Sequence, residues 1–304
     1  MTARSRLAAL LAVLPLSLAV LVGCGDDEPA ASDPNDTPSQ SGETTEEQSP
    51  TEEPTQSGSD TGSPETVAAP IYFVGDTPRG LRLFREFRQV EADNPADEAL
   101  ALLSAGDAAD PDYATLLPGG QLRLAAHDEL ASVTVPEEAR DRPGDMSVKD
   151  VKLAVQQVVY TVQGVLQERI PVGFVTEDGD STTFLGLETP TGGFQAAPQN
   201  RVLALVNVTQ PEQDSQPGAT FVASGVANSF EATVPWEIRD ESGAKVLDGF
   251  ATAEGWGDRL YPWESQVDAS GLPPGTYTFV AMTDDPSGGE GGGPTEDTKT
   301  FTLS

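Results

Sequence analysis

The stretch Ser147-Val148-Lys149-Asp150-Val151-Lys152-Leu153-Ala154-Val155-Gln156-Gln157-Val158-Val159-Tyr160-Thr161-Val162-Gln163-Gly164-Val165 decides the fold of the first half of the chain. Val151, Ala154, Val155, Val158, Val159, Val162 and Val165 recur at helical spacing and make one apolar face. Ser147 to Asp150 has the form of a capping box, in which the serine accepts from the backbone and the aspartate returns a bond. Valine is a weak helix former, because its branched side chain loses rotamer freedom there, so this helix must be held by packing against a sheet. The flanking residues supply the strands. Ile71-Tyr72-Phe73-Val74 reads as a first strand closed by Gly75-Asp76, and residues 81–90 should pair with it. Asn94-Pro95 opens a helix with Ala99, Leu100, Leu102 and Leu103 on its apolar face and Gly106 near its end. Residues 116–120 are a turn, residues 122–126 and 130–135 are two strands joined around His127-Asp128, and residues 171–176 are a further strand. The order β, β, α, β, β, α, β predicts an α+β domain with helices on one face of a sheet.

From about residue 200 to residue 304 the pattern changes to strands separated by Gly and Pro turns. Phe230, Ala232, Val234, Trp236 and Ile238 fall on one side of a strand at period two. Residues 241–244 turn the chain into residues 245–251, a hairpin. Leu272-Pro273-Pro274-Gly275-Thr276-Tyr277 resembles the tyrosine corner of immunoglobulin-like sandwiches, in which the phenol bonds back to upstream backbone. Tyr277, Phe279 and Ala281 should point inward, and residues 298–303 supply the last strand. Seven strands fit the length available.

Taken as an ordered series, the first half resembles the GerMN domain named from sporulation and spore-germination proteins. The pieces are Ile71-Tyr72-Phe73-Val74, Ala99-Leu100-Ala101-Leu102-Leu103, Leu117-Pro118-Gly119-Gly120 and Ala154-Val155-Gln156-Gln157-Val158-Val159-Tyr160-Thr161. The chain departs from that family at residues 135–146, where it carries the charged Pro136-Glu137-Glu138-Ala139-Arg140-Asp141. The second half resembles the immunoglobulin-like spore-germination (Gmad-type) domain, on Val222-Ala223-Ser224-Gly225-Val226-Ala227, Phe230-Glu231-Ala232-Thr233-Val234 and Trp236-Glu237-Ile238. The resemblance implies a multidomain chain, an α+β GerMN-like domain at 69–195 followed by an all-β immunoglobulin-like sandwich at 200–304. It brings no catalytic motif, so no catalytic residue and no cofactor is expected. It implies a non-enzymatic binding or scaffolding role of the sporulation and germination type. A receptor for a small molecule or wall fragment lodged between the domains is the alternative, and a cell-wall enzyme a weaker one.

Location is read from the other end of the chain. Arg4 and Arg6 precede an apolar run over residues 7–22 that ends in Leu21-Val22-Gly23-Cys24, the form of a lipoprotein signal cleaved between Gly23 and Cys24. Residues 1–23 are then the signal peptide, and Cys24, the single cysteine, is the acylated (palmitate-bearing) anchor. Residues 24–68 carry no Lys, Arg, aromatic, Leu or Ile and are rich in Ser, Thr, Pro, Gly, Asp and Glu. Such a segment cannot bury enough apolar surface to offset chain entropy and is expected to be a disordered acidic linker. It would span roughly 35–40 Å between the extracytoplasmic face of the cell membrane and the folded part.

The charge balance is 17 Lys and Arg against 49 Asp and Glu, a net −32, which repels nucleic acid and bare anionic surfaces. Arginine greatly outnumbers lysine (Lys149, Lys152, Lys245 and Lys299), a bias of high-GC genomes such as those of actinobacteria. His127 is the only histidine, and with Cys24 acylated no metal-ligand set of N and S donors remains. Glu177-Asp178-Gly179-Asp180 lacks the ligand ladder of a calcium loop. The candidate binding residues are therefore Arg79, Arg82, Arg85 and Arg88, and Trp256 in the loop Gly255-Trp256-Gly257. On one strand the four arginines split between faces, as a charge-protected edge strand would have them or as contacts to an anionic wall polymer. Trp256 is placed either to lid the sandwich end or to stack on a sugar or an envelope-protein partner.

Overall fold

A computed structural model describes residues 65–285, 288 and 293–304. The signal segment, Cys24 and most of the expected linker lie outside the described residues. Strands β1 (Thr66–Gly75) and β2 (Arg82–Glu91) form an antiparallel ladder running from Thr66 opposite Glu91 to Gly75 opposite Arg82. The first strand thus starts at Thr66, and Thr66, Val67 and Ala68, expected in the linker, pair with Glu91, Val90 and Gln89. Helix α1 (Pro95–Ala105) opens on its proline and closes at Gly106, whose left-handed φ of 69° lets its N–H reach the carbonyls of Leu102 and Leu103. Strands β3 (Arg123–His127), β4 (Ala131–Thr134) and β5 (Val172–Val175) form a second sheet in which β4 and β5 run parallel, joined by helix α2 (Val148–Leu166) as the crossover. The expected order holds, but the strands make two small sheets rather than one. One core serves both: Ile71, Phe73, Leu100, Leu103, Val158, Val159, Phe174 and Phe184 are each almost wholly buried in it. After the short hairpin of β6 (Thr183–Phe184) and β7 (Leu187–Glu188), helix α3 (Gln199–Val202) and Leu203-Ala204 still pack on this first domain.

Helix α2 is buried well beyond its valine face. Ser147 caps it, accepting from Asp150 N–H at 3.1 Å, but its hydroxyl also donates to the Asp150 carboxylate at 2.7 Å, so the aspartate does not turn back to the backbone. Gln156, Gln157, Thr161 and Gln163 are buried on its other sides, and each serves backbone groups that have no strand partner. Thr161 accepts from Tyr72 N–H at 3.1 Å, while Gln157 donates to Tyr72 C=O at 3.0 Å and accepts from Leu116 N–H at 2.9 Å. Gln156 bonds Gln195 C=O and Ala197 N–H, and Gln163 bonds Ile170 C=O. The free edge of β1 is thus closed by side chains of a helix, which satisfies backbone groups that burial would otherwise leave at a cost.

The second domain is a seven-stranded sandwich. Strands β8 (Val206–Gln210), β9 (Thr220–Ala227), β10 (Thr233–Arg239), β11 (Lys245–Thr252), β12 (Tyr261–Asp268), β13 (Gly275–Met282) and β14 (Glu296–Leu303) form two antiparallel sheets, ordered β12-β9-β8 and β11-β10-β13-β14. The Tyr277 hydroxyl donates to Pro273 C=O at 2.7 Å, which makes the tyrosine corner. Trp236 stacks on Phe279 at 5.7 Å and donates to Ser265 Oγ at 3.0 Å. Gly249 lies opposite it with no room for a side chain, since a Cβ there would stand 2.4 Å from the indole. Val234, Trp236 and Ile238 alternate inward as expected, but Phe230 and Ala232 do not belong to the strand. They sit in a 3-10 turn, Phe230–Ala232, in which Glu231 and Ala232 take positive φ, and Phe230 is turned out to solvent.

Replacing Gln157 by Ala should cost about 2–4 kcal/mol of stability, because Tyr72 C=O and Leu116 N–H lose their partner inside the fold. Urea unfolding reads this directly, and an exposed control such as Gln121→Ala should stay within about 0.5 kcal/mol of the parent.

Candidate functional site

The described residues belong to one compact unit, and a buried ionic cluster ties its two domains together. On β14 the inward positions are Asp297, Lys299, Phe301 and Leu303; the last two enter the sandwich core, while the first two meet the loop after α1. Lys299 Nζ lies 2.5 Å from Asp110 Oδ2, 2.7 Å from Tyr113 Oη and 3.1 Å from Asp297 Oδ1. Tyr113 donates to Asp297 at 2.8 Å, and the other oxygen of Asp297 accepts from Asn207 Nδ2 and Val208 N–H. Burial alone would depress the Lys299 ammonium, but Asp297 and Asp110 more than offset it and hold its pKa above the ordinary value of 10.5. Burial raises the carboxyl of Asp110 against the pull of Lys299. With every proton of the ammonium engaged, this cluster is a joint between the domains.

The four arginines on and before β2 go to four different places. Arg88 is neutralised, with Glu86 at 3.2 Å and Asp107 at 3.7 Å. Arg82, held below its ordinary pKa by burial and by Arg79, borders an apolar groove of about 520 Å³ together with Lys149, Lys152 and Arg201. Arg85 crosses to the sandwich: its guanidinium donates to Thr209 Oγ1 at 3.3 Å and covers the Phe87 ring at 4.7 Å. Arg79 is exposed and borders the same cleft as Trp256.

That cleft, about 620 Å³, lies where residues 200–205 meet the end of the sandwich. Trp256 is 51% exposed and stands edge-on to Phe230, itself 40% exposed, with ring centroids 5.3 Å apart. Asn228 fixes the loop beneath the indole through two bonds to Gly257, accepting from its N–H at 2.8 Å and donating to its C=O at 3.2 Å. Half of the indole is open to solvent on this anchored loop, with Phe230 against its edge and Arg79, Arg201 and Asp284 around it. Phe230 was missed as a site residue because its period-two spacing to Val234 placed it in the core.

A second cavity, about 380 Å³, opens between the domains, lined from the first by Tyr72, Leu83, Arg85 and Arg169 and from the second by Asn207, Val226, Glu254, Arg259 and Pro262. His127 is exposed at the end of β3, and Glu177 to Asp180 form an exposed turn. Among the described residues no three His, Cys, Asp or Glu side chains are grouped to hold a metal ion, and no helix is long and apolar enough to cross a membrane.

Residues 205–290 match the family model Gmad2, the immunoglobulin-like domain of bacterial spore germination. No curated protein matches the chain. Among solved structures it is similar to CopC from Methylosinus trichosporium OB3b, at 18% identity over 33% of this chain and 93% of that one, with a TM-score of 0.23. It is also similar to the tandem GerMN domains of the sporulation protein GerM from Bacillus subtilis, at 14% identity and a TM-score of 0.32. That match covers 68% of this chain and 62% of the GerM chain. Likenesses this slight say nothing of ligand or activity.

Lys299→Met should destabilise the chain by about 3–5 kcal/mol near neutral pH, since it leaves Asp110 and Asp297 buried without their cation. The deficit should shrink as the pH falls towards 4. Asp110 binds its proton more tightly folded than unfolded, so its protonation favours the folded state. In the parent chain Lys299 also holds its proton more tightly when folded, and its contribution, complete below 10.5, should be lost as the pH climbs above that value. Thermal melts of parent and variant from pH 4 to 11 read both slopes.

Proposed function

The chain carries the immunoglobulin-like domain of bacterial spore germination, and from that premise we propose that it is a non-enzymatic binding module of the germination type, lipid-anchored through Cys24 on the outer face of the cell membrane. Its acidic linker holds the folded part off the membrane, and the Trp256 cleft takes the glycan of the cell wall. The observation that carries this reading is the exposed Trp256–Phe230 pair on a loop pinned by Asn228. Indole faces stack on the apolar face of a sugar ring, and a ring already held in place loses little side-chain entropy on binding. Arg79 and Arg201 beside it suit a glycan that also bears carboxylates.

Pelleting with purified wall sacculi tests the cleft. The parent should co-sediment, Trp256→Ala should weaken binding by about tenfold or more, and its unfolding midpoint should not move, because the indole is half exposed. Arg79→Gln should remove the salt-sensitive part of the affinity. Unchanged pelleting by Trp256→Ala would remove the glycan from this cleft. The anchor is tested separately: Cys24→Ala should shift the protein from the detergent-extracted membrane fraction to the soluble one.

A further inference from the structure

In a chain of net charge −32, three arginines that form no ion pair with any described residue line the cavity between the domains. Arg85 reaches it from β2, Arg169 from just beyond α2, and Arg259 from the loop before β12. No carboxylate among the described residues lies within ion-pair distance of any of them, and Glu254 is the only acidic side chain in the lining. Arg85 and Arg259 also cover the Phe87 and Tyr261 rings, at 4.7 and 4.8 Å, but in so acidic a chain three guanidinium groups around one cavity with no ion pair among the described residues are an arrangement the bulk composition works against.

Two buried polar atoms in the lining residues, one from each domain, lack a partner among the described residues. Arg85 Nε, a donor, has none, although the same guanidinium reaches Thr209 through Nη2. Asn207 Oδ1, an acceptor, has none either, and the amide cannot turn over to use it elsewhere, because Nδ2 is committed to Asp297 at 3.1 Å. Buried polar groups are nearly always paired, and an unmet donor and an unmet acceptor in two side chains that line one cavity suit a ligand that brings both complements. Tyr72 adds a hydroxyl that stays neutral: burial raises its pKa, and Arg85 and Arg169 beside it only partly lower it. Leu83, Val226 and Pro262 supply the apolar part of the lining.

We propose that this cavity binds a small organic anion, with its oxyanion on Arg85, Arg169 and Arg259 and a hydroxyl or amino donor directed to Asn207 Oδ1. The site is separate from the Trp256 cleft and does not depend on the glycan reading. It makes the domain junction a receptor site, and a bound anion would bridge β2 to the sandwich.

Isothermal titration of the full chain in a neutral detergent tests the site with three probes: glycerol 3-phosphate, which carries oxyanion and hydroxyls, propyl phosphate, which lacks the hydroxyls, and glycerol, which lacks the charge. Glycerol 3-phosphate should bind one to one, propyl phosphate more weakly, and glycerol not at all. Arg169→Met and Arg259→Met, both at exposed positions, should each weaken glycerol 3-phosphate by about tenfold or more while the melting temperature stays close to the parent's. Trp256→Ala should leave it unchanged. The absence of binding at about 10 mM probe, equal affinity for propyl phosphate, or indifference to both arginine variants would overturn the proposal. Loss of anion binding in Trp256→Ala would likewise overturn it, by placing the anion in the other cleft.

Discussion

Lys299 between Asp110 and Asp297 is the contact on which the arrangement of the two domains depends. Each charge is inside the protein, where it would be prohibitive alone, and each is tolerated because the others are in place with Tyr113 and Asn207 completing the hydrogen bonds. An apolar joint could slide by a side chain's width at little cost. This one has no low-energy alternative register, since any shift strands a charge. Both clefts inherit that stiffness: one is walled by the two domains, and the other sits where residues 200–205 join the sandwich.

Much of this was legible in the sequence. The strand and helix order of the first domain, the valine face of α2, the hairpin after Asp240 and the tyrosine corner all follow from local periodicity and turn chemistry. The two small sheets did not follow, because pairing between strands far apart in sequence leaves no local mark. The junction was missed for a similar reason, though a trace was there. Lys299 stands in phase with Phe301 and Leu303 on a strand whose alternate residues face inward, and a lysine at an apolar position asks for a partner. Naming that partner required Asp110, 189 residues away. Phe230 failed in the opposite sense: its spacing was right for a strand, but the positive φ of Glu231 and Ala232 turned it outward before the strand began.

The arginines show how topology redistributes a sequence cluster. Arg79, Arg82, Arg85 and Arg88 look like one basic run, and the fold sends each to a separate environment. What it assembles in return is a set no linear reading contains: Arg85 with Arg169 and Arg259, and Arg82 with Lys149, Lys152 and Arg201. Helix α2 makes the same point with neutral groups, because its glutamines look like a polar face and act instead as the missing neighbour of β1.

The junction also imposes an order of assembly. Its anionic and phenolic half, Asp110 and Tyr113, is synthesised early, and its cation waits on β14, the last strand of the sandwich. Until that strand is in place Asp110 and Tyr113 lack Lys299 as a partner, and closing so long a loop must precede the contact that rewards it. A chain cut short before Glu296 would therefore lose more than one edge strand of the sandwich. It would lose Lys299 and Asp297 together, and with them the ionic contact that joins the two domains.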